Sequence, residues 1–290
     1  MTKTVSFILY KIIHFFDQIF FKFTKRSILI WFKDFIEISS YKEIKILDNK
    51  TIFFTPNYIT GWLVDEFFTK EPETLEWIDG FKENEEKIVF WDIGANIGLY
   101  SIYASIKYKN IEVISFEPST SNLRILSRNI SINNLENKIK INQFPLTNLK
   151  NQYLMFNESK FMEGLAMHSF GERRDFEGKK FDPPNKYKIF GTSINFLIDN
   201  QILNVPNYIK IDVDGIEHLI LEGASKYLKN EKIKSISIEL NENFKEQYEQ
   251  VLKIMNENNF YIKHKKRSKL VENISDIKLL KTYNYIFNRK

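Results

Sequence analysis

The sequence predicts an α/β protein built on a mostly parallel sheet with helices on both faces. Three observations carry that expectation. From Lys87 onward, apolar runs of strand length alternate with segments of helical periodicity, and turn signals separate them. The run "KIVFWDI" breaks into a glycine-bearing turn, Asp92-Ile93-Gly94-Ala95-Asn96-Ile97-Gly98, before helical periodicity resumes. The chain ends in "TYNYIFNRK", which alternates as a closing strand does. Alternating units of this kind imply parallel strands joined by right-handed crossovers.

Composition narrows the function classes. With 290 residues, 43% of them hydrophobic and 27% charged, the chain can bury a substantial core in one large domain or two small ones. The absence of cysteine excludes disulfides, iron–sulfur clusters, thiolate zinc sites and a cysteine nucleophile. No two of the four histidines have close helical metal-ligand spacing, which argues against a dedicated zinc site. A net charge of +5 is mild, and it fits anionic substrates or a membrane surface. Its one cluster, "KHKKRSK" from Lys263 to Lys269, reads as a solvated loop, and no nucleic-acid partner is expected.

Taken in order, the first element is "FILYKIIHFFDQIFFKF", Phe7 to Phe23, crowded with Phe and Ile but interrupted by Lys11, His14, Asp17 and Lys22. It offers no uncharged run of the ~20 residues that cross a bilayer, and no small-residue cleavage site follows it. Two readings stand: a helix packed on the main domain, or an interfacial helix with Lys near anionic headgroups and Phe in the acyl boundary. "EIKILDNKTIFFTP" reads as a hairpin turning at Asp48-Asn49, and "EPETLEWIDGF" as a short helix entered through Pro72 and ended near Gly80. Residues 1–86 thus form an N-terminal helical segment and β-hairpin cap, ahead of a main domain over 87–290.

Within that domain, "KIVFWDI" is a buried strand and "IGLYSIYASIKY" its helix; "IEVISFEP" is the second strand, closed by Pro118. "STSNLRILSRNISINN" is a helix with Ser119 or Thr120 as cap, and "KIKINQF" is a third strand. Residues 147–207 break the rhythm with Gly164, Gly171, Gly178 and Pro183-Pro184, and read as a β-rich insert on the substrate side. "YIKIDVDG", "IEHLILEGASKYL", "IKSISIEL", "FKEQYEQVLKIMNENN" and "FYIKHK" then resume the alternation.

The glycine turn lies between a strand and a helix, the context in which such a motif binds ligands. Gly94 permits a tight turn and close ligand approach, and Gly98 lets the helix start against the sheet. Free amides with the carboxylate of Asp92 at the mouth suit a zwitterionic ligand. Glu117, ending the next strand about twenty residues on, can accept bonds from both hydroxyls of a ribose. The alternative is an ordinary strand-to-helix turn with a solvated acid. A dinucleotide requires a middle glycine for its pyrophosphate, and here Ala95-Asn96-Ile97 intervene. S-adenosylmethionine, with an amino acid end and no pyrophosphate, fits better.

At these residues the chain resembles the FkbM-type S-adenosylmethionine-dependent methyltransferases, roughly from Thr69 to Asn241. The motifs are "DIGANIGLYS", "FEPSTSNLRILSRNISINN", "IKIDVDGIEHLILEGA" and "ISIEL", in that order, with "FFTKEPETLEWIDGF" upstream. The resemblance implies a class I methyltransferase, Rossmann-like fold with a seven-stranded, mostly parallel sheet whose last strand is antiparallel. It implies O-methylation, often of sugars in surface glycans or natural products. By position, Asp92, Gly94, Asn96 and Gly98 would lie around the methionine moiety and Glu117 would hold the ribose. Gln143 and Leu146, in "NQFPL", would border the adenine. Where the family usually has "DVEG" this chain has Asp212-Val213-Asp214-Gly215, which shortens the reach of the second acid.

Methyl transfer to a hydroxyl needs an aligned nucleophile and a proton acceptor, or a metal. Asp212, at the carboxyl end of a central strand, is one candidate; Glu239, ending the next strand, is another, and His168 in "GLAMHSFG" is a third. Asp212, Asp214 and Glu217 offer oxygen ligands for magnesium, or Asp214 caps the helix at Ile216 while Glu217 satisfies its first turn. Arg173 and Arg174 read either as holders of an acceptor phosphate or uronate, or as a solvated pair. The leading expectation is an O-methyltransferase acting on a glycan or glycolipid precursor in the cytoplasm, at or near the inner membrane face. The alternatives are a nicotinamide-dependent oxidoreductase and a non-catalytic membrane-surface module.

Overall fold

The computed structural model of the chain describes residues 1–82, 87–149, 151–267 and 281–290. Two helices, α1 (Thr2–Thr24) and α2 (Leu29–Ile38), open the chain. They meet at Asp17, whose carboxylate accepts from Ser27 Oγ at 2.9 Å and from the amides of Ile28 at 2.6 Å and Leu29 at 3.3 Å. Asp17 is the buried residue of α1, and the apolar side chains around it stay exposed. Of the two sequence readings, burial of this helix on the main domain is therefore not what the fold adopts.

Strands β1 (Tyr41–Ile46) and β2 (Asn49–Phe54) form the expected hairpin, turning one residue earlier than the sequence reading places it. A two-residue hairpin turn of this kind needs positive φ at both central positions. Leu47 (φ 46°) and Asp48 (φ 66°) supply them, while Asn49 already pairs with Ile46. Helix α3 (Tyr58–Asp65) is capped by Asn57, and α4 (Phe67–Lys70) follows. Helix α5 (Pro72–Asp79) starts on Pro72 and stops at Gly80.

The main domain runs β3 (Ile88–Ile93), α6 (Leu99–Lys107), β4 (Ile111–Phe116), α7 (Thr120–Ile132) and β5 (Ile139–Asn142). After the insert strands β6 (Gln152–Glu158), β7 (His168–Phe170) and β8 (Asn185–Gly191) come α8 (Ile194–Asp199) and β9 (Tyr208–Ile211). The chain closes with α9 (Glu217–Glu222), β10 (Ser235–Asn241), α10 (Lys245–Glu257), β11 (Phe260–Lys266) and β12 (Thr282–Arg289). The strand order is β11-β12-β10-β9-β3-β4-β5, with β12 antiparallel to both of its neighbours. This is the class I methyltransferase sheet, seven strands with the last antiparallel.

Successive residues of a strand face opposite sides, so a strand buried on both faces reads as a continuous apolar run. Phe90 enters the core shared with Ile102, Leu126, the hairpin's Phe53 and Trp77 of α5. Its neighbour Trp91 enters the opposite core, with Ile211, Ile238, Val251 and the insert's Phe156. From β3 the chain moves outward to β4 and β5, then crosses back to β9 on the other side of β3. Strand order reverses at that point, and ligands of open α/β sheets bind beyond the carboxyl ends there.

The insert is a three-stranded antiparallel sheet ordered β7-β6-β8, and the remainder of residues 147–207 carries the crossover helix α8. Its two ends touch: Thr147 N donates to Thr192 O at 2.9 Å and Thr192 N to Pro145 O at 3.2 Å. The basic cluster is not a loop, since Lys263–Lys266 belong to the edge strand β11. Charge on an edge strand discourages pairing with another sheet. Ser268 and Lys269 lie outside the described residues.

Candidate active site

A cavity of about 180 Å³ opens at the carboxyl ends of β3, β4, β9 and β10. Its floor is the turn after β3. Gly94 (φ 86°) is packed so closely on β9 that a Cβ there would lie 1.8 Å from the carbonyl oxygen of Asp212. Its missing side chain thus serves strand-to-strand contact. Gly98 (φ 90°) caps α6, and a Cβ on it would lie 2.6 Å from Leu126 of α7. Asn96 adopts φ 51° and sets its side chain on the cavity wall, where its Oδ1 is buried without a hydrogen-bond partner.

Glu117 follows β4 and lines the same wall, oriented by the amides of Asn96 (2.8 Å) and Ser119 (2.9 Å). Burial pushes its carboxyl up to about 8 in spite of those donors. Ser119 is also the cap of α7, so one turn fixes both the helix start and the acid. Phe144, Pro145 and Leu146 continue the lining, leading into the insert.

A strap from the insert, Glu163 to His168, crosses this region. Asn122 Oδ1 accepts from Gly164 N at 2.8 Å, and Asn122 Nδ2 donates to Leu165 O at 3.1 Å. Asn96 Nδ2 donates to Gly164 O at 3.2 Å, and Asp214 Oδ2 accepts from Met167 N at 2.6 Å. Leu165, Ala166 and His168 form part of the cavity lining. Cofactor pockets commonly enclose about 300–1,000 Å³, so with the strap in place the space is tight.

The inner end is ionic. Lys210 on β9 pairs in register with Asp92 on β3, and its Nζ lies 2.8 Å from Asp212 Oδ2. Burial opposes its charge, but Asp212, Asp92 and Glu71 outweigh burial and raise its pKa. Burial likewise opposes ionisation of Asp212, yet Lys210 and Lys70 hold it below the usual carboxylate range. Glu239 has the opposite fate: burial, Asp212 and Glu71 push it well above that range. The two carboxyls are therefore pushed in opposite directions, Asp212 toward its ionised form and Glu239 toward its protonated form. Glu71 accepts from Tyr100 Oη at 2.7 Å and pairs with Lys70 at 2.7 Å.

His168 starts β7, with Nε2 3.1 Å from Leu165 O, which it serves as donor when that nitrogen holds the proton. Its Nδ1 is then a bare lone pair, buried and without a partner. Burial lowers its pKa against the pull of Glu158, its cross-strand neighbour, so the ring is neutral near pH 7.

The structure thus gathers Gly94, Asn96, Glu117, Leu146, His168, Asp212, Asp214 and Glu239 around one cavity. Asp92, Gly98, Gln143 and Glu217 stand outside its lining. Asp92 is not at the mouth but beneath the turn, where the strand pleat aims it at Ser101 Oγ, 2.6 Å away. Gln143 is exposed, and its neighbour Phe144 lines the wall instead. Glu217 accepts from Gly215 N at 3.2 Å and from Gln247, and it stands in the first turn of α9. Asp214 does not cap that helix, because the chain turns at Asp214 (φ 61°) and Ile216 takes the cap position.

Among the described residues no group of three or more acids and histidines is arranged to hold a metal ion. Asp212 Oδ2 accepts from Lys210, Asp214 Oδ2 from a strap amide and Glu217 from Gly215, and nothing in this arrangement supports the magnesium expectation. Arg173 and Arg174 are exposed, Arg174 pairing with Glu246 at 3.1 Å, as a solvated pair does. Sequence reasoning missed Lys70, Glu71, Tyr100 and Lys210. Only Lys210 carried a signal, a charge inside the apolar strand "YIKI".

The profile described as "Methyltransferase FkbM domain" matches residues 92–262, well over half of the chain. A curated relative, the methyltransferase sdnD of Sordaria araneosa, is 39% identical over 56 residues. That match spans 19% of this chain and 22% of the relative's length. Among solved structures, precorrin-6y C5,15-methyltransferase of Geobacter metallireducens is 12% identical, with TM-score 0.42 over 76% of this chain and 88% of its own. TrmK of M. capricolum, in complex with S-adenosyl-homocysteine, is 14% identical with TM-score 0.40 over 74% and 67%. With its sheet order, its turn after β3 and the extent of the profile match taken together, the chain belongs to the FkbM methyltransferase family.

Proposed function

We propose that the protein transfers a methyl group from S-adenosylmethionine to a hydroxyl on a sugar of a glycan or glycolipid precursor. The observation that carries this reading is a half-buried His168 whose Nδ1 atom is buried and unpartnered, on the same cavity as Glu117 and the turn after β3. The residues present fit the cofactor. Asn96 Oδ1, buried without a donor, suits an ammonium, and Glu117 suits a pair of ribose hydroxyls. When bound, the cofactor supplies a methyl group activated by a positively charged sulfur.

The chain's own residues do the rest. A sugar hydroxyl is a weak nucleophile, so its proton must leave as the new bond forms. His168 Nδ1 receives that proton, and the Glu158 carboxylate across the strand pair favours the imidazolium that results. Asp212, fixed by Lys210 and Glu239, accepts a hydrogen bond from the acceptor and orients it. Phe116, Leu146 and Phe170 line the cavity and keep water from it.

The test is calorimetric titration of the wild type and Glu117→Ala with S-adenosylhomocysteine, followed by methyl-label transfer to a panel of sugars. Saturable binding lost in the variant, with label on a sugar oxygen, supports the reading. Binding with transfer only to nitrogen acceptors removes the O-methyl assignment, and no binding removes the cofactor.

A further inference from the structure

Residues 1–38 present an apolar surface that the described chain leaves largely uncovered. The 23-residue α1, about 35 Å long at 1.5 Å per residue, reaches mean hydropathy 1.3 in its most apolar window, of which 6% is buried. Phe15 is 62% exposed, Phe23 80%, Trp31 62% and Phe35 62%. Apolar area on this scale marks an interaction surface.

Charge says which kind. Lys3, Lys11, Lys22, Lys25, Arg26 and Lys33 are interleaved with these side chains. The opposing acids are largely consumed. Asp17 is enclosed by Ser27 and the amides of Ile28 and Leu29. Glu37 is held by Arg124 at 2.5 Å and Arg128 at 3.1 Å, which leaves Asp34 as the other acid of α2. What faces outward is apolar and cationic, the complement of an anionic leaflet. Lys11 and His14 sit mid-helix, which suits a helix lying in the interface better than one crossing it.

We propose that α1 and α2 seat the protein on an anionic lipid bilayer, with Phe side chains in the acyl boundary and the lysines at the headgroups. The seat is tied to the cavity. Arg124, which clasps Glu37 of α2, also holds Glu163 at 3.0 Å, and Glu163 begins the strap. Docking therefore sets the strap side of the cavity toward the bilayer. The inference rests on residues 1–38 and not on the acceptor proposed above.

The experiment is flotation of the full chain with vesicles of phosphatidylcholine and of phosphatidylcholine mixed with phosphatidylglycerol, at low and high salt. The expected result is flotation on the mixed vesicles at low salt, weakened by high salt. Lys22→Gln/Lys25→Gln/Arg26→Gln should partition about a hundredfold more weakly, at roughly 1 kcal/mol per cation. Phe15→Glu/Phe16→Glu should abolish flotation with unchanged thermal melting, both positions being exposed. Three results would overturn the proposal: no flotation on mixed vesicles, equal flotation on neutral vesicles at high salt, or a dimer in vesicle-free solution that Phe15→Glu/Phe16→Glu dissociates.

Discussion

Gly94 and Asp212 touch backbone to backbone, and that contact sets the tolerance of the site. An added Cβ at Gly94 would both strain a φ of 86° and overlap the Asp212 carbonyl. Gly94→Ala is expected to cost roughly 3 kcal/mol or more, read from denaturant melts, with cofactor affinity falling in parallel. Glu117 gives a pH prediction. With its carboxyl pushed up to about 8, it is mostly protonated at pH 7. Hydroxyl donors favour the carboxylate, so binding of S-adenosylhomocysteine should release a proton between pH 7 and about 8, and none well above that. Calorimetry in buffers of different ionisation enthalpy reads this, and Glu117→Gln should abolish it. For His168 the sign is reversed. Its pKa is lowered, so the base is intact at pH 7 and is lost as the pH falls through a value below 6.5. His168→Gln should reduce turnover about 10²- to 10⁴-fold and flatten the acid limb of the rate profile. At this scale the sequence was legible where a role is local, as with Ser119 capping α7 or Pro72 opening α5. It was misleading where the pleat decides, as with Asp92, which the strand aims under the turn at Ser101.

Among elements, the strap depends on partners distant in sequence. Asn122 holds both Gly164 N and Leu165 O from 42 and 43 residues away, which no local pattern in "SNLRIL" or "EGLAM" announces. Asn122→Ala leaves the buried Gly164 amide without its acceptor and removes one donor from Leu165 O, and a loss of about 1–3 kcal/mol is expected. Amide hydrogen exchange over residues 163–168 should quicken with it, while β3 and β9 remain protected. A strap that still exchanged slowly would mean that Asn96 and Asp214 suffice to hold it. Strands and helices themselves were readable, because burial on both faces and helical spacing leave strong traces. Lys263–Lys266 misled because charge resembles solvated loop whether it sits in a loop or on an exposed edge.

Across the whole molecule, the sheet order follows from the alternation of elements, whereas the exposure of α1 does not. Periodicity cannot tell a helix buried by protein from one destined for another surface. The geometry shows only that α1 is little covered, Asp17 being the one residue it buries. Because the first two helices bury so little, a chain lacking residues 1–38 should melt within about 0.5 kcal/mol of the full chain and keep its cofactor affinity. A large fall in stability would show that Glu37's ties to Arg124 and Arg128 support the core.

The closed neck of the insert has a practical consequence. Thr147 donates to Thr192 and Thr192 to Pro145, so everything between them leaves and rejoins the main fold at one doorway. A segment with adjoining ends can be exchanged for another of different length at small entropic cost, since loop closure grows only with the logarithm of length. The three-stranded unit is thus a cassette. Transplanting it between relatives would move His168 and the strap together, and would leave the Gly94–Asp212 contact of the sheet in place.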